Sequence, residues 1–294
     1  MNERMKVMIA YDGSRYADAA IEDLRRAGLP PTTEALVVSV VTEATLKPAV
    51  SEFDLFSLAS RRAEAVLSRV ESARRRAVKQ NKDLAAKATK RLCRLFPDWR
   101  VESEVLHGAA AAELLAEAAE WKPDLIVVGS HGRSALGRFF LGSVSKRIAE
   151  EAECSVRVVR GENVKTGDEP AEIIAVARDS NEAERIIETI GARFRSCETN
   201  MRLIAAGDDV PLRFVSSAYA AAASSNSRFA ASIGARGIRL SVEVKTGDLK
   251  TVLLETAKYR RSDSIFIAEG DDPESEEAVR GLIANAPCTV EIVR

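Results

Sequence analysis

Histidine is nearly missing from this 294-residue chain, which has two, His107 and His131. With no cysteine cluster beside them, they argue against a zinc centre. Cysteine is also sparse: Cys93, Cys154, Cys197 and Cys288 form no CxxC pair, which excludes a disulfide framework. Cys154 and Cys288 each stand just before an apolar strand pattern, SVRVVR and TVEIVR, and read as small buried hydrophobes. No apolar run approaches the roughly 18 residues that span a bilayer, so no membrane partner is expected. The start, MNERMKVMIAYDGS, enters a strand pattern almost at once and lacks the apolar stretch and cleavage site of a signal peptide, which points to the cytoplasm. An excess of one charge is absent as well. Lys and Arg number 43 against 44 Asp and Glu, a net charge of −1, so the molecule has no bulk affinity for nucleic acid or acidic lipid. Two nucleotide motifs are missing: there is no G-x-x-x-x-G-K-[ST] loop and no G-x-G-x-x-G after a strand, which argues against a P-loop ATPase or a dinucleotide dehydrogenase.

What is present is alternation. Short apolar runs at 6–11, 34–41, 101–107, 124–130 and 155–160 read as strands. Between them Ala17, Ala20, Ile21 and Leu24 share one helical face, as do Ala111, Leu114, Leu115 and Ala118. Near-continuous apolar strands alternating with helices predict an α/β fold, a parallel sheet covered on both faces. A polar segment containing Gly and Pro, GENVKTGDEP at 161–170, reads as a linker. The pattern then restarts, with strands at 172–177, 200–206, 238–244, 264–269 and 289–294. YDGSRYADAAIEDL matches ARDSNEAERIIETI, pairing Asp12 with Asp179, and ECSVRVVR matches PCTVEIVR. This is an internal duplication of a roughly 140-residue unit. It predicts a first domain over 1–160, a linker over 161–170 and a second domain over 171–294.

After the fourth strand the chain reads GSHGRSALGRFFLGSVSKR from Gly129, with the spacing G-x2-G-x9-G-S over Gly129, Gly132, Gly142 and Ser143. A strand end opens into a glycine loop, and a helix begins near Ser143. Free N–H groups and the positive dipole end at such a helix start suit a polyphosphate. Glycine lets the backbone come close to it, and Ser143 and Ser145 can add hydroxyl donors. The alternative is a glycine loop that only turns the chain. Asp12 likewise fits either a capping or turn aspartate or a ligand contact.

These residues resemble the universal stress protein family in its tandem two-domain form. The opening VMIAYDGS, the stretch from HGAAAAELL through VVGSHGRSALGRFFLGSVSKR to SVRVVR, and the repeat carry the resemblance. It is strong over 5–160 and weak over 171–294. It implies two tandem open five-stranded parallel sheets with helices on both faces, a Rossmann-like adenine-nucleotide fold. In that family the glycine-spaced motif marks members that bind ATP. The resemblance therefore implies that Asp12 accepts hydrogen bonds from the ribose hydroxyls. Backbone at Ala10, Val40 and Val41 would hold adenine, and Gly129, Gly132, Gly142, Ser143, Val144 and Ser145 would line the phosphates. His131 and Arg133 would flank the loop, His131 being either a phosphate or ribose contact or a solvent-facing loop residue. ATP is the expected ligand, with AMP or ADP as alternatives and Mg a candidate companion of the phosphates. Family members pair through the edge strand at the domain end, so 155–160 and 289–294 are expected to pair within the chain as a pseudo-dimer, with a homodimer also open.

The second copy has EGDDPESEEAVRGLIANAPC in place of the glycine loop. Counting back from Cys288 puts Glu276 and Glu277 where Gly142 and Ser143 stand. Its carboxylates, Glu269, Asp271, Asp272, Glu274, Glu276 and Glu277, would repel phosphate, so 171–294 is not expected to bind ATP. Residues 61–94 carry twelve Lys or Arg and three acidic residues, with Ala65, Val66, Arg69, Val70, Ala73, Ala77 and Leu84 suggesting one stripe. This is either a solvated amphipathic helix or a docking face for an acidic partner. Aromatics are absent until Phe96 and Trp99, so there is no base-stacking platform and nucleic acid is not expected. The leading reading is a stress-response regulator that binds a nucleotide. A slow ATPase or nucleotidyl-transfer enzyme, and a scaffold binding no nucleotide, are the alternatives. No carboxylate near the loop is an evident base for activating water, so at most slow ATP hydrolysis is expected.

Overall fold

The computed structural model describes residues 4–43, 63–131, 141–161, 169–177, 180–194, 198–206, 238–245, 248–270 and 273–294. The first half contains β1 (Lys6–Ala10), α1 (Arg15–Asp23) with a 3-10 turn at Leu24–Arg26, β2 (Glu34–Val41), α2 (Ala63–Leu95), β3 (Arg100–His107), α3 (Ala110–Trp121), β4 (Leu125–Gly129), α4 (Ser143–Glu151) and β5 (Ser155–Val159). The second half contains β6 (Ala171–Val176), α5 (Ser180–Arg193), β7 (Thr199–Ala206), β8 (Ile238–Lys245), α6 (Leu249–Arg260), β9 (Ser264–Ala268), α7 (Pro273–Asn285) and β10 (Thr289–Val293).

All ten strands join one sheet in the order β3-β2-β1-β4-β5-β10-β9-β6-β7-β8. Each half has the same internal order, and pairing within each half is parallel. The two five-stranded sheets expected from the sequence are thus fused edge to edge. The fusion is the antiparallel β5–β10 pair, in which Arg157 faces Glu291. It lies within the two segments expected to pair, 155–160 and 289–294.

Strand alternation decides what each face of this junction contains. Val156, Val158, Val290 and Ile292 point to one side, where a single apolar core spans both halves and includes Met8, Ile126, Ile148, Ile174, Ile265 and Leu282. The other side has two separate cores. One surrounds Val7, Ile9, Ile21, Leu92 and Val127, the other Ile173, Ile187, Phe194 and Phe266. Between them lies a row of alternating charge. Arg157 Nε donates to Asp23 Oδ2 at 2.6 Å, Arg157 Nη1 donates to Glu291 Oε2 at 2.8 Å, and Arg193 pairs with Glu291 on its far side. Thr289 Oγ1 also donates to Asp23 Oδ1 at 2.8 Å. The Arg157 side chain has 0% exposure. Burial by itself would lower its pKa, but Asp23 and Glu291 outweigh that and raise it, so Arg157 is held charged. A second ion pair across the halves joins Arg26 to Asp263 at 2.6 Å.

Backbone geometry adds a close fit. Gly28, just past the 3-10 turn, has φ +65°, and a Cβ there would lie 2.5 Å from the Phe194 ring at the end of α5. Cys288 is buried before β10, and burial, followed by the nearby Asp23 and Asp263 carboxylates, pushes its thiol up to about 12. Cys154 is half-buried and burial pushes it up to about 11, whereas Cys93 is exposed.

Two outcomes are expected. Gly28→Ala combines a left-handed backbone with a clash against Phe194 and should lower unfolding stability in urea by about 1–3 kcal/mol. At pH 8 a thiol reagent should label Cys93 at least about 100-fold faster than Cys288, as read by mass spectrometry. Because the Cys288 pKa is higher in the folded state, the unfolded chain loses that proton first. Its contribution to stability is therefore full below the ordinary value of 9.0 and declines as pH rises toward 12.

Candidate functional site

The strand order places β1 between β2 and β4, so the connections from β1 to β2 and from β4 to β5 run in opposite lateral directions. In open α/β sheets a crevice forms at such a switch point, at the carboxyl ends of the strands. Ala10, Val41 and Gly129 end those three neighbouring strands. The Val41 carbonyl accepts a bond from Gly108 N at 3.1 Å, which fixes the end of β2 against β3.

Asp12 follows β1. Its Oδ1 accepts from Ser14 N at 2.9 Å, and Ser14 Oγ is the group that caps α1, accepting from Ala17 N at 3.1 Å. Asp12 therefore shapes the turn while Ser14 takes the capping role. Gly129 brings β4 against the start of α1: a Cβ there would lie 2.8 Å from the Tyr16 carbonyl carbon. Ser130 Oγ lies 3.0 Å from His131 Nδ1, and the His131 ring tilts against Tyr16 at 4.8 Å between centroids. At 8% exposure His131 is buried, not solvent-facing.

The segment that begins at Leu141 closes onto this same point. Gly142 N donates to the Ser130 carbonyl at 2.8 Å. Ser145 Oγ lies within hydrogen-bond reach of two carbonyls, Ser130 O at 3.0 Å and Gly142 O at 2.9 Å. Ser145, at 2% exposure, thus ties strand to helix instead of presenting its hydroxyl outward. Gly142 is the N-cap of α4 and supplies no side-chain cap, so the first turn at Ser143, Val144 and Ser145 is left without the cap that α1 and α6 possess. Ser143 is exposed. A helix start without a side-chain cap leaves N–H groups and the positive dipole end open to an anion. Gly132 and Arg133 lie outside the described residues.

The equivalent corner of the second half is built differently. α7 begins with Pro273, which has no N–H to offer, and has Glu276 and Glu277 in its early turns. Glu269, after β9, is bound by Arg294 through Nη2 to Oε1 at 2.7 Å. Asp179, Asp271 and Asp272 are not described, nor is the side chain of Glu274.

Several site-supporting residues carry no sequence signal. Asn81 is buried on α2, accepts from Ser39 Oγ at 2.8 Å and donates to Ala77 O at 2.9 Å. Arg91 clamps α2 to Asp18 and Glu22 of α1. The buried stripe of α2 runs Ala77, Asn81, Ala85, Ala88 and Leu92. It shares Ala77 with the expected stripe, whose Leu84 packs half-buried against the same core, but excludes Arg69, which is exposed. Farther out, Arg74, Arg75, Lys79, Lys82 and His107 line an open cleft of about 340 Å³ with Glu71 and Val78. Phe96 and Trp99 stack on each other at 4.1 Å. Among the described residues no group of three or more His, Cys, Asp or Glu is arranged to hold a metal, and no helix is long and apolar enough to cross a membrane.

Comparison with known proteins agrees on the fold. The family model described as universal stress protein family matches residues 3–160. A curated universal stress protein of Methanocaldococcus jannaschii is 36% identical over 81 residues, 27% of this chain and 48% of that protein. The aligned segment thus spans about half of that relative's length. The solved structure of a universal stress protein from Archaeoglobus fulgidus covers 98% of both chains at 15% identity, with a TM-score of 0.64, and so shares the fold. A universal stress protein family member from Arabidopsis thaliana, solved with AMP bound, covers 53% of this chain and 91% of its own at 18% identity, with a TM-score of 0.32.

Removing the Ser145 hydroxyl should unfasten the strand–helix junction. Ser145→Ala is expected to cost about 1–2 kcal/mol of unfolding free energy in urea, with the loss localised by faster amide exchange at Gly142.

Proposed function

The chain belongs to the universal stress protein family, and from that premise we propose that it binds one adenine nucleotide, ATP, at the switch point of its first half and acts as a regulatory protein. The observation that carries the reading is the start of α4, which has no side-chain cap and closes onto Ser130 at the end of β4. Phosphates take the N–H groups at Ser143, Val144 and Ser145 together with the glycine loop at Gly129, Gly132 and Gly142. Asp12 holds the ribose hydroxyls, and backbone at Ala10, Val40 and Val41 receives adenine. His131 and Arg133 border the phosphates. Mg, where it accompanies ATP, is held through the phosphates. AMP and ADP use the same adenine and ribose contacts with fewer phosphate contacts.

The second half binds no nucleotide in this reading. Pro273 and the acidic first turns of α7 occupy the place of the phosphate acceptor, and like charge repels a phosphate at close range. Regulation is favoured over turnover because hydrolysis needs a positioned base. Asp12 is already engaged in its own turn with Ser14 N.

Mass spectrometry of nucleotide released from freshly purified protein should find an adenine nucleotide at one per chain. Ser143→Glu imports the charge that Glu277 has in the other half at an exposed position, and should weaken ATP binding by at least about tenfold while leaving the thermal midpoint in place. Two nucleotides per chain, or ATP binding unaffected by Ser143→Glu, would defeat the one-site reading. Turnover at about 1 per second or faster, lost on Ser143→Glu, would make the protein an enzyme.

A further inference from the structure

Equivalent positions of the two halves meet at the β5–β10 pair. Its register sets Val158 against Val290, Arg157 against Glu291 and Val156 against Ile292. Arg157 and Glu291 are the middle residues of SVRVV and TVEIV, so their contact lies on the pseudo-twofold axis between the strands.

The periphery of the junction obeys that symmetry. Arg160, just past β5, donates to the Ile283 carbonyl of α7. Arg294, just past β10, donates to the Ala149 carbonyl of α4. Either half could make this contact with a copy of itself. The centre does not obey it. A β5 strand paired with β5 of a second chain in this register would set Arg157 against Arg157, and two β10 strands would set Glu291 against Glu291. Both side chains have 0% exposure, so water and salt could not screen the repulsion. The packing above the strands is asymmetric in the same sense. Gly28 of the first half leaves the space that Phe194 of the second half fills.

We propose that this junction is a partner-selecting surface: β5 accepts the β10 edge and rejects a second β5, through the charge row Asp23–Arg157–Glu291–Arg193 and the Gly28–Phe194 fit. Its occupant is the complementary half of the chain, and the family's edge-strand face is thereby closed to homotypic dimerisation. Buried ion pairs seldom add net stability over apolar residues of equal volume, whereas they do fix register and partner. The row is retained here for selection.

The full chain tests this. Wild type and the double variant Arg157→Met with Glu291→Met are refolded from urea at low and high protein concentration, and their masses are read by light scattering. The apolar variant removes the central like-charge opposition from both homotypic pairings and leaves the outer members of the row and the Gly28–Phe194 fit in place. Its dimer fraction at high concentration should exceed that of wild type by at least about tenfold, the factor equal to about 1.4 kcal/mol of lost discrimination. Equal dimer fractions in the two proteins overturn the proposal, and they do so even if both dimerise through another edge.

Should the apolar variant fail to fold, complementation decides. Chains with Arg157→Glu and chains with Glu291→Arg each oppose like charges internally. Refolded together, they can exchange halves so that one junction has the native pair and the other the reversed pair. A 1:1 heterodimer in native mass spectrometry supports selection by charge. Its absence overturns it, as does either variant refolding alone to a single-chain species with the wild-type thermal midpoint.

Discussion

The contact between Arg157 and Glu291 is the constraint on which the arrangement of the two halves depends. Without the β5–β10 pairing that surrounds it, each strand would be the exposed edge of a five-stranded sheet, with a row of unpaired backbone groups. With it, both strands are wholly buried at the centre of ten. Side chains alternate along a strand, so a slip of one residue would carry the charges into the continuous apolar core and the valines into the ionic row. The charged pair therefore fixes the register, and the register aligns the apolar face that the two halves share. Pairing at the junction is antiparallel while each half is parallel within itself. The carboxyl ends of the two sets of strands consequently face opposite directions, and the two switch-point crevices lie at opposite sides of the sheet.

Both crevices descend from one pattern and have diverged at the same element. α4 starts at Ser143 behind a glycine, whereas α7 starts earlier, at Pro273, and leads with acidic residues. Beside α7 the second half has internal contacts where the first half has a glycine-spaced loop in its sequence. Glu269 binds Arg294, and Arg185 donates to the Glu269 carbonyl at 2.9 Å. The second half thus keeps the scaffold and commits its corner to packing.

The strands were legible in the sequence because burial on both faces writes them as apolar runs, and each expected strand matches an observed one to within a residue at its ends. The glycine corner was legible too: Gly129 and Gly142 stand where backbone must approach backbone. What could not be read was pairing over long sequence separation. Asp23 and Glu291 look like any surface acid until the fold brings Arg157 between them, and Asn81 is polar on a stripe that apolarity alone would define. Ser145 was read as a phosphate donor from its place in the motif, whereas its hydroxyl is turned inward onto Ser130 and Gly142. His131 was left between a ligand contact and a solvent-facing loop, because nothing in the sequence announces the Tyr16 ring beside it.

α4 is the element that the candidate site and the junction have in common. Its amino end is fastened to β4 through Gly142, Ser145 and Ser130, and is the end that would receive phosphate. Near its other end, Ala149 O accepts from Arg294, the last residue of the second half, at 2.6 Å. Arg294 in turn holds Glu269, at the degenerate crevice. A helix of nine residues is too short to bend gradually and moves as a body. Any shift of α4 on taking a phosphate at its start is therefore presented directly to Arg294 at its end. The candidate site of the first half and the corner of the second are joined by one helix and one arginine, a physical route by which the two halves can be coupled.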